Sequence, residues 1–470
     1  MLDTRDPDDL KRPHKGAASP RPTVIVVGAG FSGLLTTLHL LRDPDGPRVR
    51  LIEAGAVFGR GPAYSTGNQD HLLNVRVENM SAFPDQPGHF RAWLSTRDGW
   101  KAHGGFVTRG CYGDYLQELL RQATTRSEAG RLLLEADQAV ELDRGKDGWR
   151  LTTRMGRELR ADAVVLATGL LPPATPPGAD GLLDSPHYAP DPWSSDLRRV
   201  GGSVLLLGSG LTMMDVALGL AGQGRRMLAL SRRGLTPRTH AVVSPLAPSP
   251  LPTGSPLALT RRLRAAALAS DWRTAVDALR PHVQQVWGAW TLTQRRQFLR
   301  HLRPWWDAHR HRLAPSVAGR IATLQQLGEL SVQAGRVAGF TPRDDGISVA
   351  WTPRGRHEVR QLQVDAVINC TGSMGDLQRA HDPLLAGLLA KGRIRPDPCA
   401  LGMDVDPKAR PLDRQGTADP TLFAVGPMTR GAFWEMTSVP DIRLQAAQAA
   451  RDLIQALAPA AGGSARRRGA

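Results

Sequence analysis

The chain has 470 residues, enough for two to three domains at roughly 150 residues each. A composition of 41% hydrophobic and 22% charged residues allows sizeable cores and excludes global disorder. The net charge of +16 rests on 60 basic against 44 acidic residues, of which only 6 are lysine, and aromatic content is 5%. That skew reads as an arginine-rich coding habit rather than a nucleic-acid surface with a base-stacking platform, so nucleic acid is not an expected partner.

No run of about 18 apolar residues marks a membrane span. Residues 1–20 are polar and aperiodic, lack the apolar stretch of a secretory signal, and are expected to be a disordered leader. The three cysteines, Cys111, Cys370 and Cys399, form no CxxC pair. That excludes a disulfide framework, a zinc ribbon and a redox dithiol, and it fits a reducing cytoplasm.

Two segments open alike. TVIVVGAGFSGLLTTLHLL (23–41) and GSVLLLGSGLTMMDVALGLAG (202–222) each give a β-rich apolar run, a glycine turn and apolar residues at helical spacing. Each therefore starts a βαβ unit, and two such units predict two Rossmann-like dinucleotide-binding domains in an α/β protein. RLLLEADQAVEL and GWRLTTR alternate like antiparallel strands. ADAVVLATGLLPP (161–173) and VDAVINCTGS (364–373) each read as the last strand of a unit, where the chain crosses to the other. TLFAVGPMTRG (421–431) is a further strand and glycine turn, and VPDIRLQAAQAARDLIQAL is a closing helix. The expected organisation is a first domain of 21–170 plus 372–458, a second inserted at 171–371, and a disordered tail at 459–470.

Within the second domain, residues 257–320 are expected to be helical and basic, with 12 Arg against 3 Asp. Trp272, Trp287, Trp290, Trp305 and Trp306 are interleaved there, either packing a helical cap or forming a substrate lid or partner surface. His309 and His311 stand two apart, which on a helix aims them at different faces, so no metal site is expected.

Gly28-Ala29-Gly30-Phe31-Ser32-Gly33 is a full GxGxxG after a strand. Gly28 permits the tight turn, Gly30 the approach of a pyrophosphate, and Gly33 close helix–strand packing. Phe31 and Ser32 open a helix whose N–H groups and dipole favour phosphate. Glu53 lies 20 residues after Gly33 at the end of a second strand. A carboxylate there accepts from a ribose diol and repels a 2′-phosphate, which points to FAD or NAD. Proximity to the N-terminus and the presence of a second site favour FAD. Thr168 and Gly169 in AVVLATG resemble the junction signature of two-dinucleotide flavoproteins. In the second turn, Gly208-Ser209-Gly210-Leu211-Thr212-Met213, the third glycine is missing. Arg232 and Arg233 stand where an acid would select NAD, and two guanidiniums can grip a 2′-phosphate, so NADPH is expected.

GAGFSG, FGRGPAYSTGNQDHLLNVRVENMSAFPDQPGHFRAWL, YGDYL, GSGLTMMD, SRRGL, FLRHLRPWWDAHRHRLAP and GAFWEMTSVPDIRLQA together resemble the bacterial FAD-NAD(P)-binding family of flavoproteins. The resemblance runs over roughly residues 22–455. More distantly, the layout is similar to the N-hydroxylating and Baeyer–Villiger flavin monooxygenases, which carry FAD and NADPH on two domains and no redox cysteine pair. HLLNVRVENMSAFP follows the strand bearing Glu53, so it is expected to run over the flavin. Asn74, Asn79 and Ser81 would then offer polar groups and Met80 an apolar face, while Gly426 would lie beside the ribityl chain and Trp434 near the ring. Asn74, Ser81 and Trp434 are accordingly the candidate catalytic residues.

The expected activity is an NADPH-using flavoprotein monooxygenase in which NADPH reduces the flavin and the reduced flavin captures oxygen at C4a. Its substrate would be a small molecule such as an amine, with molecular oxygen as co-substrate. An FAD-dependent dehydrogenase with another acceptor, or a flavin-bound redox-sensing scaffold, are the competing expectations.

Overall fold

The computed structural model describes residues 21–97, 105–197, 200–222, 224–244 and 253–458. The expected leader (1–20) and tail (459–470) lie outside the described residues.

The run Val24–Val27 is apolar without interruption and has nowhere to put a polar face, so it becomes an inner strand buried on both sides. Strand Thr23–Val27 pairs in parallel with Arg48–Glu53 on one side and Ala163–Leu166 on the other. Leu132–Ala136 and Leu422–Ala424 complete a five-stranded parallel sheet at its two edges. Alternate side chains feed two separate cores. Val24, Val26, Val49, Leu51 and Val165 face a cluster covered by the helices Phe31–Arg42, Arg109–Arg126 and Val439–Leu457. Ile25, Val27, Ile52, Val164 and Leu166 face a cluster covered by an antiparallel three-stranded sheet and helix Pro383–Ala390.

RLLLEADQAVEL does not behave as one antiparallel strand. Its first half, Leu132–Ala136, is a parallel edge strand beside Arg48–Glu53, and only Ala139–Gly145 pairs antiparallel, with Gly148–Thr153. A short apolar run at a sheet edge carries no mark of strand direction, so pairing alone decides it. The break falls at Asp137, whose carboxylate accepts from the Gln138 N–H.

The second sheet has seven strands. Ser203–Leu207 pairs in parallel with Arg226–Ser231 and with Ala366–Asn369, and Tyr188–Ala189 lies outside the latter. The 14-residue strand Leu330–Arg343 begins parallel to Arg226–Ser231 and then runs antiparallel to Gly346–Pro353, which in turn pairs with Arg360–Val364. Between Arg226–Ser231 and Leu330–Arg343 the chain forms a series of helices from Pro256–Ala269 to Pro315–Gln326. Both crossings between the sheets meet in one short antiparallel ladder, Leu171–Pro173 with Ser373–Met374.

Candidate functional site

The first glycine turn is shaped by backbone contact. A side chain at Gly33 would collide with the Gly28 carbonyl, so helix Phe31–Arg42 can lie directly on its strand only with glycine there. Gly28, at φ +96°, donates to the Ile52 carbonyl at 2.8 Å. Gly30 ends the turn in extended backbone, and no side chain caps the helix after it. Its first-turn N–H groups are thus left for a ligand rather than for the protein. Glu53 comes to the same place. Its Oε2 accepts from the Ala29 N–H at 2.8 Å and its Oε1 from the Gly55 N–H at 3.3 Å.

Two distant segments close on this turn. Gly426, at φ +93°, sits so near the Ser32 hydroxyl that any Cβ there would overlap it. Its N–H donates to Gln445 Oε1 at 2.7 Å, and Gln445 Nε2 donates to Thr429 Oγ1 at 2.8 Å. Thr168 follows Ala167, whose carbonyl a side chain at Gly28 would strike. The Thr168 hydroxyl is buried without a hydrogen-bond partner, and Gly169 next to it has φ +74°. Gly28, Gly30, Ser32, Gly33, Glu53, Thr168, Gly169 and Gly426 therefore share one locality. Phe31 opens the helix there, but its ring packs between Tyr64 and Tyr112.

The other candidates separate. Met80 is buried in the core under the first sheet. Ser81 is fully buried and donates within its own turn, to the Gln86 carbonyl at 2.6 Å and the Phe83 carbonyl at 3.2 Å. Trp434 stacks on Trp287 with centroids 4.7 Å apart, and Phe298 meets it edge-on. These three side chains are engaged by protein rather than turned to an open cleft, which departs from the flavin-facing placement expected for them. A contiguous loop motif alternates between interior and cleft, and the sequence does not say which residues fall on which side. Asn74 does line a cavity, of about 400 Å³, and its carbonyl accepts from His240 Nε2 at 3.0 Å.

The second turn repeats the first with one change. Gly208, at φ +113°, donates to the Leu230 carbonyl at 2.8 Å, and Cys370 lies against it. Gly210 caps helix Leu211–Leu220 without a side-chain bond. Met213 replaces the third glycine and is fully buried in the core of this sheet. Ser209 donates to the Leu235 carbonyl at 2.6 Å and lies 2.7 Å from the Ser231 hydroxyl, tying the turn to the end of the next strand. A cleft of about 520 Å³ is lined by Gly208–Thr212 together with Arg232, Arg233, Arg303, His311 and Thr371. Asp307 is the acid lining this cleft, and it pairs with Arg303 at 3.3 Å. Arg303 and Gln445 were not singled out from the sequence, and His311 was weighed there only as half of a metal pair. Arg303 and His311 lie in the basic helical stretch, which was the available signal.

Asp215 serves packing. It is buried against Arg109, whose Nη2 donates to it at 2.6 Å, and burial still pushes its carboxyl above the usual range. Burial likewise raises the Cys370 thiol, which leaves it unreactive. Among the described residues no group of His, Cys, Asp or Glu could hold a metal, and no helix is long and apolar enough to cross a membrane.

A parallel sheet and a mixed sheet with a parallel core, each with a glycine turn leading into a helix without a side-chain cap, define a two-dinucleotide α/β fold. Residues 25–171 match the sequence model of the FAD-NAD(P)-binding family. A pentalenolactone D synthase of Streptomyces exfoliatus is 27% identical over 236 residues, which is 48% of this chain and 36% of that protein's length. Similar solved structures include L-lysine 6-monooxygenase from Pseudomonas syringae, at TM-score 0.64 and 18% identity over 93% of this chain and 99% of that one. Another is ornithine N-hydroxylase from Kutzneria sp. 744, at TM-score 0.60 and 16% identity over 93% and 99%. These similarities establish the two-domain fold.

Proposed function

We propose that the chain is a cytoplasmic, FAD-dependent, NADPH-using monooxygenase of a small molecule. The observation that carries this reading is the pair of uncapped helix N-termini, each following a parallel strand of its sheet, with Glu53 beside the first and Arg232 and Arg233 beside the second. The residues present fit FAD at the first turn, where glycines leave no room for side chains and a buried Thr168 hydroxyl lacks a partner. In this assignment the flavin domain is 21–170 plus 372–458 and the nicotinamide domain is 171–371. Bound FAD supplies a hydride acceptor and, once reduced, a centre that activates oxygen.

The chain's own residues then divide the remaining work. Gly28, Gly30 and Gly33 let the backbone approach a pyrophosphate, and the N–H groups of Phe31 and Ser32 would donate to it. Glu53 would accept from the adenosine ribose hydroxyls. Gly426, held by Gln445, keeps the space beside Ser32 open. Arg232 and Arg233 would clamp a 2′-phosphate, with Arg303 adding positive charge across the cleft. Aromatic packing of Trp287, Trp290 and Trp434 keeps water out of the helical side. The absence of a CxxC pair disfavours disulfide reduction on the same fold. The substrates named for the ornithine and lysine enzymes make an amine the class to test first.

The purified protein should carry FAD and be bleached by NADPH in the absence of air. Replacing Arg232 and Arg233 by Ala should raise the NADPH concentration needed by about ten-fold and move NADH little. Protein that takes up no FAD, or bound FAD that NADPH leaves oxidised, overturns the reading. Hydrogen peroxide as the sole oxygen product across an amine panel would favour a reductase instead.

A further inference from the structure

Arg303 and His311 tie the later part of the basic helical stretch to the nicotinamide cleft. Its first helix, Pro256–Ala269, has no residue in that cleft and buries only Pro256. The helix is nonetheless firmly seated. The Ser255 hydroxyl caps it by accepting from the Ala258 N–H at 3.3 Å, and Pro256 stands in the first turn, where a missing N–H costs nothing. Trp290 Nε1 donates to the carbonyl of the preceding Gly254 at 2.9 Å. Leu259 packs against the cluster of Trp287, Trp290, Phe298 and Trp434. Leu263, Ala266 and Ala267, on the same side, are half-buried.

The other side of this helix has no partner. At about 100° per residue, Leu257, Arg261, Arg264 and Leu268 fall in one outward row. Leu257 is 57% exposed and Leu268 90%. Arg261, Arg262 and Arg264 are all exposed, and Arg262 donates to the Thr253 carbonyl at 3.2 Å. The helix contains no acid, and the next two acids along the chain, Asp271 and Asp277, are held by Arg273 and Arg312. Among the described residues no acid pairs with Arg261 or Arg264.

These features select among occupants. Unneutralised surface cations attract an anionic partner. Leucines at both ends of the row call for an apolar medium as well, which a nucleic-acid backbone does not offer. The row holds no aromatic ring on which a base could stack. It is the convex outside of a helix, with no groove to seat a peptide. A bilayer with anionic headgroups meets both demands, with phosphates at the level of the guanidiniums and acyl chains beneath them for the leucines. Lying in the interface needs no spanning helix, and among the described residues none is long and apolar enough to be one.

We propose that helix Pro256–Ala269 is a reversible docking surface for an anionic lipid bilayer, with Arg261, Arg262 and Arg264 on the headgroups and Leu257 and Leu268 in the outer acyl region. The proposal goes beyond the monooxygenase reading and does not depend on the flavin. Three arginines and two leucines hold less tightly than a pair of lipid chains, so the protein exchanges between membrane and solution.

The test is co-sedimentation of the FAD-supplemented full chain with vesicles of phosphatidylcholine alone or with about one-third phosphatidylglycerol. The anionic vesicles should bind the protein and the neutral ones should not. Binding should fall about ten-fold or more as salt rises from about 50 to about 300 mM. Arg261→Glu with Arg264→Glu should weaken it at least about ten-fold. Arg336→Glu with Arg343→Glu, exposed on the second sheet, makes the same change in net charge and should leave binding within about two-fold. Leu257→Ser with Leu268→Ser should weaken it about five-fold at unchanged charge. Each variant is melted first, and where the glutamate pair does not fold, Arg261→Gln with Arg264→Gln carries the test. Equal binding to both vesicles, or none to the anionic ones, overturns the proposal. So does an equal loss from the two arginine pairs, which would reduce the effect to net charge, or binding undiminished by the leucine pair. Capture of polyuridylate RNA with vesicles ignored would assign the face to nucleic acid and overturn it too.

Discussion

At the residue scale, the glycines were the most legible part of the sequence, because a steric requirement leaves one residue type as the answer. Gly33 lies against the Gly28 carbonyl and Gly426 against the Ser32 hydroxyl, and neither tolerates a Cβ. Gly426→Ala is expected to lower stability by about 1–3 kcal/mol through its positive φ and to displace Ser32. A melting curve should show the first effect, and reduced FAD retention on gel filtration the second. Unchanged FAD retention would separate Gly426 from the cofactor. Glu53 was legible for a related reason, since its distance from the turn is fixed by one strand, one helix and a second strand. Met80, Ser81 and Trp434 were not. Their loops have no period, so only packing decides which side chain turns inward. Gln445 lies on a helix among other small and amide residues and carries no local mark of its bond to Gly426.

At the element scale, both βαβ openings could be read from hydrophobic runs and turns, and they form as expected. The orientation of Leu132–Ala136 could not, because a short apolar run does not by itself distinguish a parallel from an antiparallel edge. The tryptophans of the helical stretch are largely structural. Trp287 is buried, donates to the Gly431 carbonyl at 2.8 Å, and stacks on Trp434, so it pins the helices to the C-terminal segment. Trp287→Ala should cost about 3–5 kcal/mol, the usual range for deleting a buried aromatic. Trp287→Phe, which keeps the ring and loses one hydrogen bond, should cost about 0.5–3 kcal/mol depending on how far the Gly431 carbonyl is left unsatisfied. Urea titration separates the two. Equal losses would mean that stacking is not what holds these segments together.

At the scale of the whole molecule, the order of strands along the chain differs from their order in space. Leu422–Ala424 pairs with Ala163–Leu166, so the first sheet is finished only after the second has been threaded through it. A sequence pattern suggested this return, since a strand and glycine turn with no unit of their own had to join an earlier one. What no pattern supplied was the mutual position of the cavities, which depends on how the loops of both sheets meet around Asn74 and His240. A fragment of residues 21–371 should be recovered in inclusion bodies, with the full chain soluble under the same conditions. Soluble, monomeric fragment would show that the first sheet is stable without its last strand.

That late-arriving strand has a consequence for synthesis. While the ribosome makes residues 167–421, Ala163–Leu166 presents an apolar backbone edge with no neighbour to take its hydrogen bonds. Such an edge is a template for pairing with another nascent chain. The interval before the C-terminus emerges is therefore when this polypeptide most needs shielding by a chaperone, and slower translation would lengthen its exposure.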